Sequence, residues 1–314
     1  MSEQTRRLLE DTAFVFPGQG SQQAGMGEPF YEAWPETRKA FEGLETTLEV
    51  DLRSLCFDGS AEQLREPRNT QPAMLAAGYA TYVGLTARLE VEPAYLAGHS
   101  LGHFTALAAA GAAEPAAFAE VVRKRGEFME RAESERGPGT MVAILLADPE
   151  NVANACEGRA DVGVALKNGP RQTVISGTIE GVAAVRDDLE DRTRARFREL
   201  EVGAAFHSPV MAPAVEPVEA VMADLEMSEA EIPVISDVSG EVYTDPAVAR
   251  RDLTTQITSP VDWVGVIEEL SRRGIERYVE FPPAGILSTL IERIDPDAEC
   301  ITLETPADAE EVLA

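Results

Sequence analysis

The chain has 314 residues, with 44% apolar and 26% charged side chains and a formal net charge of −28. That balance describes a globular protein long enough for a large domain carrying a smaller one. The charge argues against nucleic acid or anionic membrane as a partner, and no run approaches the length needed to span a bilayer.

Met1 to Asp11 is polar and holds no apolar signal-peptide core, so a cytoplasmic location is expected. Ala13 to Phe16 is an apolar run ending at Pro17-Gly18, a strand entering a turn. Thr70 to Leu89 is apolar on more than one face and reads as a buried helix. Ala94 to Ala97 is a short strand, Leu101 to Gly111 a small-residue helix, and Pro115 to Ala132 a further helix with proline in its first turn. Gly137-Pro138-Gly139 breaks the pattern. A strand (Met141 to Leu146), a helix (Pro149 to Cys156), two strands (Val162 to Lys167, Gln172 to Ser176), a helix (Ile179 to Asp191) and a strand (Arg196 to Val202) follow. That order is βαββαβ, a ferredoxin-like unit. It is expected as a small domain over residues 135–203, inserted into a large domain of residues 1–134 and 204–314. The large-domain rhythm resumes with a helix at Ala212 to Leu225 and a strand at Val234 to Asp237. A helix at Pro260 to Arg273, a strand at Arg277 to Glu280 and a helix at Gly285 to Ile294 complete it. The fold class is α/β, with a parallel sheet at the centre of the large domain.

Chemistry concentrates at Gly98-His99-Ser100-Leu101-Gly102, which fits G-x-S-x-G between an apolar strand and a small-residue helix. Such a turn exposes the serine hydroxyl at a helix N-terminus and leaves the Leu101 N–H to donate to a developing oxyanion. The other reading of Ser100 is a plain N-cap. A serine nucleophile needs a base, and the chain has three histidines. His99 leaves the turn in another direction, His103 could reach the site edge from one turn along the helix, and His207 lies in a loop where the chain re-enters the large domain. His207 leads. Three widely spaced cysteines (Cys56, Cys156, Cys300) suit a reducing compartment, and with no CxxC or HExxH spacing no metal site is expected.

Six segments in order resemble the malonyl-CoA:acyl-carrier-protein transacylase family and the acyltransferase domains of polyketide and fatty-acid synthases. They are Phe14-Val15-Phe16-Pro17-Gly18-Gln19-Gly20-Ser21-Gln22, the serine turn, Arg125-Gly126-Glu127-Phe128-Met129, Asn168-Gly169-Pro170 with Gln172 to Gly177, Phe206-His207-Ser208-Pro209-Val210-Met211, and Gln256 before Ser259-Pro260-Val261-Asp262-Trp263. The resemblance spans nearly the whole chain. It implies an α/β-hydrolase-like large domain and ping-pong transfer of a malonyl group from malonyl-CoA to the phosphopantetheine thiol of an acyl carrier protein, without a cofactor. By it Ser100 is the nucleophile, His207 the base and Gln256 the residue that orients the base through its side-chain or backbone oxygen. Gln19 and Leu101 supply the oxyanion donors, and Arg125 pairs with the free carboxylate. Met129, Asn168, Phe206 and His103 are expected around the pocket, with Phe206 crowding a 2-methyl branch.

The chain departs from the family at His103, where a glutamate is usual, and at Pro282-Pro283-Ala284-Gly285, where Gly-Pro-Gly is usual. Arg192, Arg194, Arg196 and Arg198 alternate along the small domain and form a candidate docking strip for an acidic carrier, with Arg272 and Arg273 as a second patch. A charge-protected edge strand is the competing reading of that strip. A monomer is expected.

Overall fold

A computed structural model describes residues 6–202 and 204–313. Residues 1–5 of the polar N-terminal stretch, and Gly203 at the expected domain boundary, lie outside the described residues. In chain order the elements are β1 (Arg7–Phe16), α1 (Glu28–Ala33), α2 (Pro35–Leu48), α3 (Leu52–Asp58), α4 (Pro67–Leu89), β2 (Val91–Gly98), α5 (Leu101–Ala109) and α6 (Pro115–Arg136). Then come β3 (Gly139–Leu145), α7 (Pro149–Cys156), β4 (Val162–Gly169), β5 (Gln172–Thr178), α8 (Ile179–Arg192) and β6 (Arg196–Glu199). The chain ends with α9 (Ala212–Asp224), β7 (Val234–Ile235), β8 (Val242–Tyr243), α10 (Pro246–Thr255), β9 (Val261–Asp262), α11 (Trp263–Arg272), β10 (Arg277–Glu280), α12 (Ile286–Ile294) and β11 (Glu299–Thr302).

The fold is α/β with two sheets. The first has the order β11-β10-β1-β2-β7-β8, parallel except for β8 at its edge. Along β1, Phe14 and Phe16 face one core cluster while Ala13 and Val15 face another, the period-two pattern of a strand covered on both sides. Helices α4, α5 and α6 pack on the first face, and α11 and α12 on the second. The buried helix expected at Thr70 is α4, and its burial on several sides explains why it carries no clear apolar stripe. Tyr82 of α4 meets Phe14 and Phe16 edge-on, and Phe16 stacks on Phe281 at 4.9 Å. These rings fix the helix beneath the C-terminal ends of β1 and β2.

The second sheet has the order β6-β3-β5-β4-β9. Its first four strands pair antiparallel, and β9 joins β4 in parallel from the far end of the chain. Val142, Ile144 and Ile175 face α7 and α8, while Met141, Ala143 and Val174 face the opposite way, toward the first sheet's loops. One face of this sheet therefore roofs the ends of β1 and β2.

Several boundaries differ from the sequence expectation. Strand β1 starts at Arg7, because its half-exposed outer part pairs with Val91 to Pro93 across an irregularity between Leu9 and Ala13. Strand β6 stops at Glu199, and Leu200 and Val202 instead line a cavity. Strand β7 stops at Ile235, releasing Asp237 into the space beside β2. Among the described residues no helix is long and apolar enough to cross a membrane.

Candidate active site

Ser100 sits between β2 and α5 with φ 53° and ψ −107°, a left-handed backbone that a non-glycine residue adopts only when its surroundings hold it. The flanking glycines serve close approach. A Cβ on Gly102 would lie 2.0 Å from the Phe16 carbonyl oxygen, and one on Gly18 would lie 2.4 Å from that of His99. The loop after β1 is thus pressed against the serine turn, and His99 N–H donates to the Phe16 carbonyl at 3.0 Å. Gln19 follows Gly18 in this loop and lines the same cavity as Ser100. Leu101 is the first residue of α5, so its N–H has no intrahelical acceptor. The Ser100 N–H is different: it donates to Asp237 Oδ2 at 2.7 Å.

His207 also has a positive φ, 55°, and is buried. Its Nδ1 lies 2.7 Å from the Gln256 main-chain carbonyl oxygen, which can only accept, so Nδ1 carries the proton. Nε2 then accepts from Ser100 Oγ at 2.7 Å. Burial, and next the Arg125 charge, push the His207 pKa down to about 4, against the Gln256 bond that raises it. The imidazole is neutral near pH 7. A hydroxyl bonded to the lone pair of a neutral imidazole is the arrangement that activates serine for acyl chemistry. Among the described residues no carboxylate bonds to His207.

Gln256 therefore meets the imidazole through its backbone, and its side chain does other work. Oε1 accepts from Arg125 Nη2 at 3.0 Å, and Nε2 donates to the Ser100 carbonyl at 3.1 Å and to both Asp237 carboxylate oxygens. Arg125 projects from α6 into the cavity, with Nη1 donating to Gln71 Oε1 at 2.9 Å and its plane over the Phe104 ring. Its Nε has no hydrogen-bond partner among the described residues. Burial pushes its pKa down to about 10, which still leaves it cationic at neutral pH. Among the described residues this buried guanidinium is bonded to two amide oxygens and keeps one N–H unpaired, so it has donor capacity for an anion.

The cavity has a volume of about 480 Å³. Gln19, Ser100, Arg125, Asn168, Phe206 and His207 all line it, together with Met141, Ala143 and Val174 from the second sheet and Ile286 and Leu287 from the start of α12. His99 turns toward the second sheet, where Nε2 donates to Asn168 Oδ1 at 2.9 Å.

Two expected pocket residues are elsewhere. Met129 is fully buried behind Gln71, whose Nε2 lies 3.6 Å from its sulfur. His103 does not reach the site edge. The face of α5 that carries it packs inward, and its ring is completely buried between Asp237 and Tyr243. The prolines at 282 and 283 are buried and do not line the cavity.

Asp237 and Gln71 escaped the sequence reading, yet both leave a trace in it. Asp237 is an acidic residue just past the end of a buried parallel strand, where α/β folds place functional groups. Gln71 is a polar residue inside an apolar helix, the informative kind of burial. The arginine strip divides: Arg192 pairs with Asp188, while Arg194, Arg196 and Arg198 are exposed and form no ion pair among the described residues, and Arg198 reaches the cavity rim. Arg272 and Arg273 both pair with Glu269, which blunts the second patch.

Residues 13–297 match the acyl transferase domain family. The chain is 37% identical over 302 residues to the malonyl CoA-acyl carrier protein transacylase of Bacillus subtilis strain 168, covering 95% of each. The solved malonyl-CoA:acyl carrier protein transacylase of Xanthomonas oryzae pv. oryzae superposes with a TM-score of 0.91 at 38% identity, over 97% of this chain and 98% of that one. A malonyl-transacylase solved in complex with a type II polyketide-synthase acyl carrier protein gives 0.92 at 30% identity, over 96% and 99%. The similarity runs along nearly the whole length of these proteins, and the chain belongs to the acyl transferase domain family.

Proposed function

We propose that this enzyme moves a malonyl group from malonyl-CoA to the phosphopantetheine thiol of an acyl carrier protein, for fatty-acid or polyketide synthesis. The observation that carries the cargo is Arg125: a buried cation at the serine's cavity, bonded among the described residues to Gln71 and Gln256 and lying over a phenyl ring. Asp237 acts on this cation only across Gln256, and a cargo bearing a free carboxylate supplies a direct anionic partner with fork geometry.

The steps follow from the bonds described. Ser100 Oγ attacks the thioester carbonyl while His207 Nε2 takes its proton. The negative charge on the tetrahedral oxygen is met by the N–H groups of Gln19 and Leu101. Collapse breaks the C–S bond, and the imidazolium returns the proton to the leaving coenzyme A thiolate, giving malonyl-serine. The carrier thiol then gives its proton to His207 and attacks the same carbonyl. Collapse breaks the serine ester, and the proton passes back to Ser100 Oγ. A neutral carbonyl behind the histidine stabilises imidazolium less than a carboxylate does, which suffices for thioesters. The same feature speaks against a serine hydrolase.

The second reading keeps this mechanism with another carboxylated acyl unit. Phe206 on the cavity wall favours the unbranched one, because its ring crowds a 2-methyl group. On the domain level, we read the first sheet and its helices as an α/β-hydrolase-like large domain (1–134 and 204–314) and the β6-β3-β5-β4 unit as a ferredoxin-like small domain (135–203); the antiparallel order of those four strands supports this. We take the exposed Arg194, Arg196 and Arg198, the last of them at the cavity rim, as the surface met by an acidic carrier. The cytoplasm, where thiols such as the three unpaired cysteines persist, is the compartment this reading implies.

Intact mass after incubation with malonyl-, methylmalonyl- or acetyl-CoA tests the reading. A malonyl adduct, absent from Ser100→Ala, is expected. No adduct from any of the three, or an equal adduct on the variant, overturns it.

A further inference from the structure

Beneath Ser100 lies a buried pair that the transfer steps do not use, His103 and Asp237, both with no exposed side chain. Asp237 is crowded with donors. Oδ2 takes the Ser100 N–H at 2.7 Å, Gln256 Nε2 bridges both oxygens at 2.9 and 3.0 Å, and His103 Nδ1 lies 2.8 Å from Oδ1. Burial opposes ionisation of this carboxyl, but the His103 and Gln256 contacts outweigh it and hold its pKa below the usual value. An ionised carboxylate only accepts, so His103 donates through Nδ1. Its Nε2 faces the Tyr243 hydroxyl, 2.5 Å away. The opposite tautomer would leave two acceptors facing each other at Asp237. It would also leave the Tyr243 proton without an acceptor, since Tyr243 Oη has no other partner among the described residues.

We propose that His103 is a positioning residue: through Asp237 it holds the Ser100 amide and the Gln256 side chain, and so keeps nucleophile, base and arginine in one register. The chain of bonds is continuous. Tyr243 orients His103, His103 orients Asp237, and Asp237 grips Ser100 N–H and Gln256 Nε2. Gln256 carries the effect to His207 through its carbonyl and to Arg125 through Oε1. The Ser100 backbone, at φ 53°, depends on that grip to keep an unfavourable conformation. The inference rests on Ser100 being the acylated residue.

The test uses variants that differ in where they place a donor, read by the single-turnover rate of Ser100 acylation at saturating malonyl-CoA and by melting temperature. His103→Asn keeps an N–H where Nδ1 lies, whereas His103→Gln moves its amide out toward Tyr243. His103→Glu sets carboxylate against carboxylate. Adding Asp237→Asn to it restores one donor facing one acceptor and leaves an amide oxygen for Ser100 and Gln256. His103→Asn is expected within about threefold of the parent, and His103→Gln and His103→Glu to lose about tenfold or more, since small misplacements at a reacting centre are that costly. The double variant is expected to exceed His103→Glu by about tenfold. Equal rates for His103→Asn and His103→Gln, or a double variant no faster than His103→Glu, overturn the proposal. An unacylated parent enzyme would instead overturn the functional reading. Should the single variants fail to fold, the imidazole nitrogen NMR spectrum of the parent decides: a proton on Nδ1 of His103 is expected, and one on Nε2 alone overturns it.

Discussion

His207 Nδ1 lies 2.7 Å from the main-chain carbonyl of Gln256, while the side chain of that same glutamine accepts from Arg125 and donates to Asp237 and the Ser100 carbonyl. One residue thus orients the base with its backbone and the arginine with its amide. Substitution to alanine separates the two, because alanine retains the carbonyl. Gln256→Ala is expected to slow malonyl loading by about tenfold or more and acetyl loading by less, as the loss of a bond to a charged group predicts. Single-turnover loading with the two thioesters measures it, and an equal loss for both would show that the amide does not serve the arginine.

Arg125 gives the sharpest cargo prediction. In Arg125→Ala malonyl loading should collapse, by about 10²-fold or more for a buried charge pair lost, while acetyl loading holds or rises. Arg125→Lys should rescue little, because a point charge cannot reach the Gln71 and Gln256 oxygens and a carboxylate together. Loading measured by intact mass against time checks both, and equal losses for malonyl and acetyl would refute the clamp.

The depressed His207 pKa sets the acid side of the pH profile. Its value of about 4 in the folded enzyme means that the base stays unprotonated well below the usual histidine range. The acylation rate of the free enzyme should therefore hold down to about pH 5 and fall near pH 4. Stability follows the opposite state. Between the unfolded value, about 6.5, and the folded one, the unfolded chain binds the proton first, so this histidine lowers stability progressively as pH falls from 6.5 to 4 and costs nothing above. Denaturant titrations across that window, with and without His207→Gln, test the sign: the variant should lose less stability on acidification.

Gly102 has no room for a methyl group. Gly102→Ala would set a carbon 2.0 Å from the Phe16 carbonyl oxygen, a backbone atom that cannot rotate aside. The loop holding Gln19 must move, at a cost of about 1–3 kcal/mol in stability. Acylation should fall by about 10²-fold if an oxyanion donor moves with it. Urea melts and burst kinetics read the two effects, and a variant with parental values in both would show that the two loops are not pressed together.

For the exposed arginines on β6, reversal by Arg196→Glu with Arg198→Glu should slow transfer to an acidic carrier by about tenfold at low salt, and the deficit should shrink as salt rises. An unchanged transfer rate at low salt would leave the strip as a protected sheet edge.

What could be read along the chain was local. A strand, a tight glycine-flanked turn and a helix within a dozen residues announce an exposed serine, because close backbone contacts between neighbours in sequence are written in the residue types themselves. The alternating strands and helices of residues 139–199, and the histidine to pair with the serine, were legible for the same reason or by elimination among three. The short edge strands β8 and β11 and the helix α10 left no clear period, since two to ten residues hold too few repeats to stand out.

The tertiary structure decided everything that depends on which face of an element meets which other. Spacing put His103 one turn after Ser100, and only the tertiary packing of α5 turned that face inward onto Asp237, past the end of β7, and Tyr243 of β8 instead of outward to the mouth. It also chose the backbone oxygen of Gln256 over its side chain for His207, and recruited Asp237 from 137 residues away to hold the Ser100 amide. A hydrogen bond is a matter of tenths of an ångström and of which atom is left without another partner. Neither is settled until the sheets and helices that carry the two residues have packed.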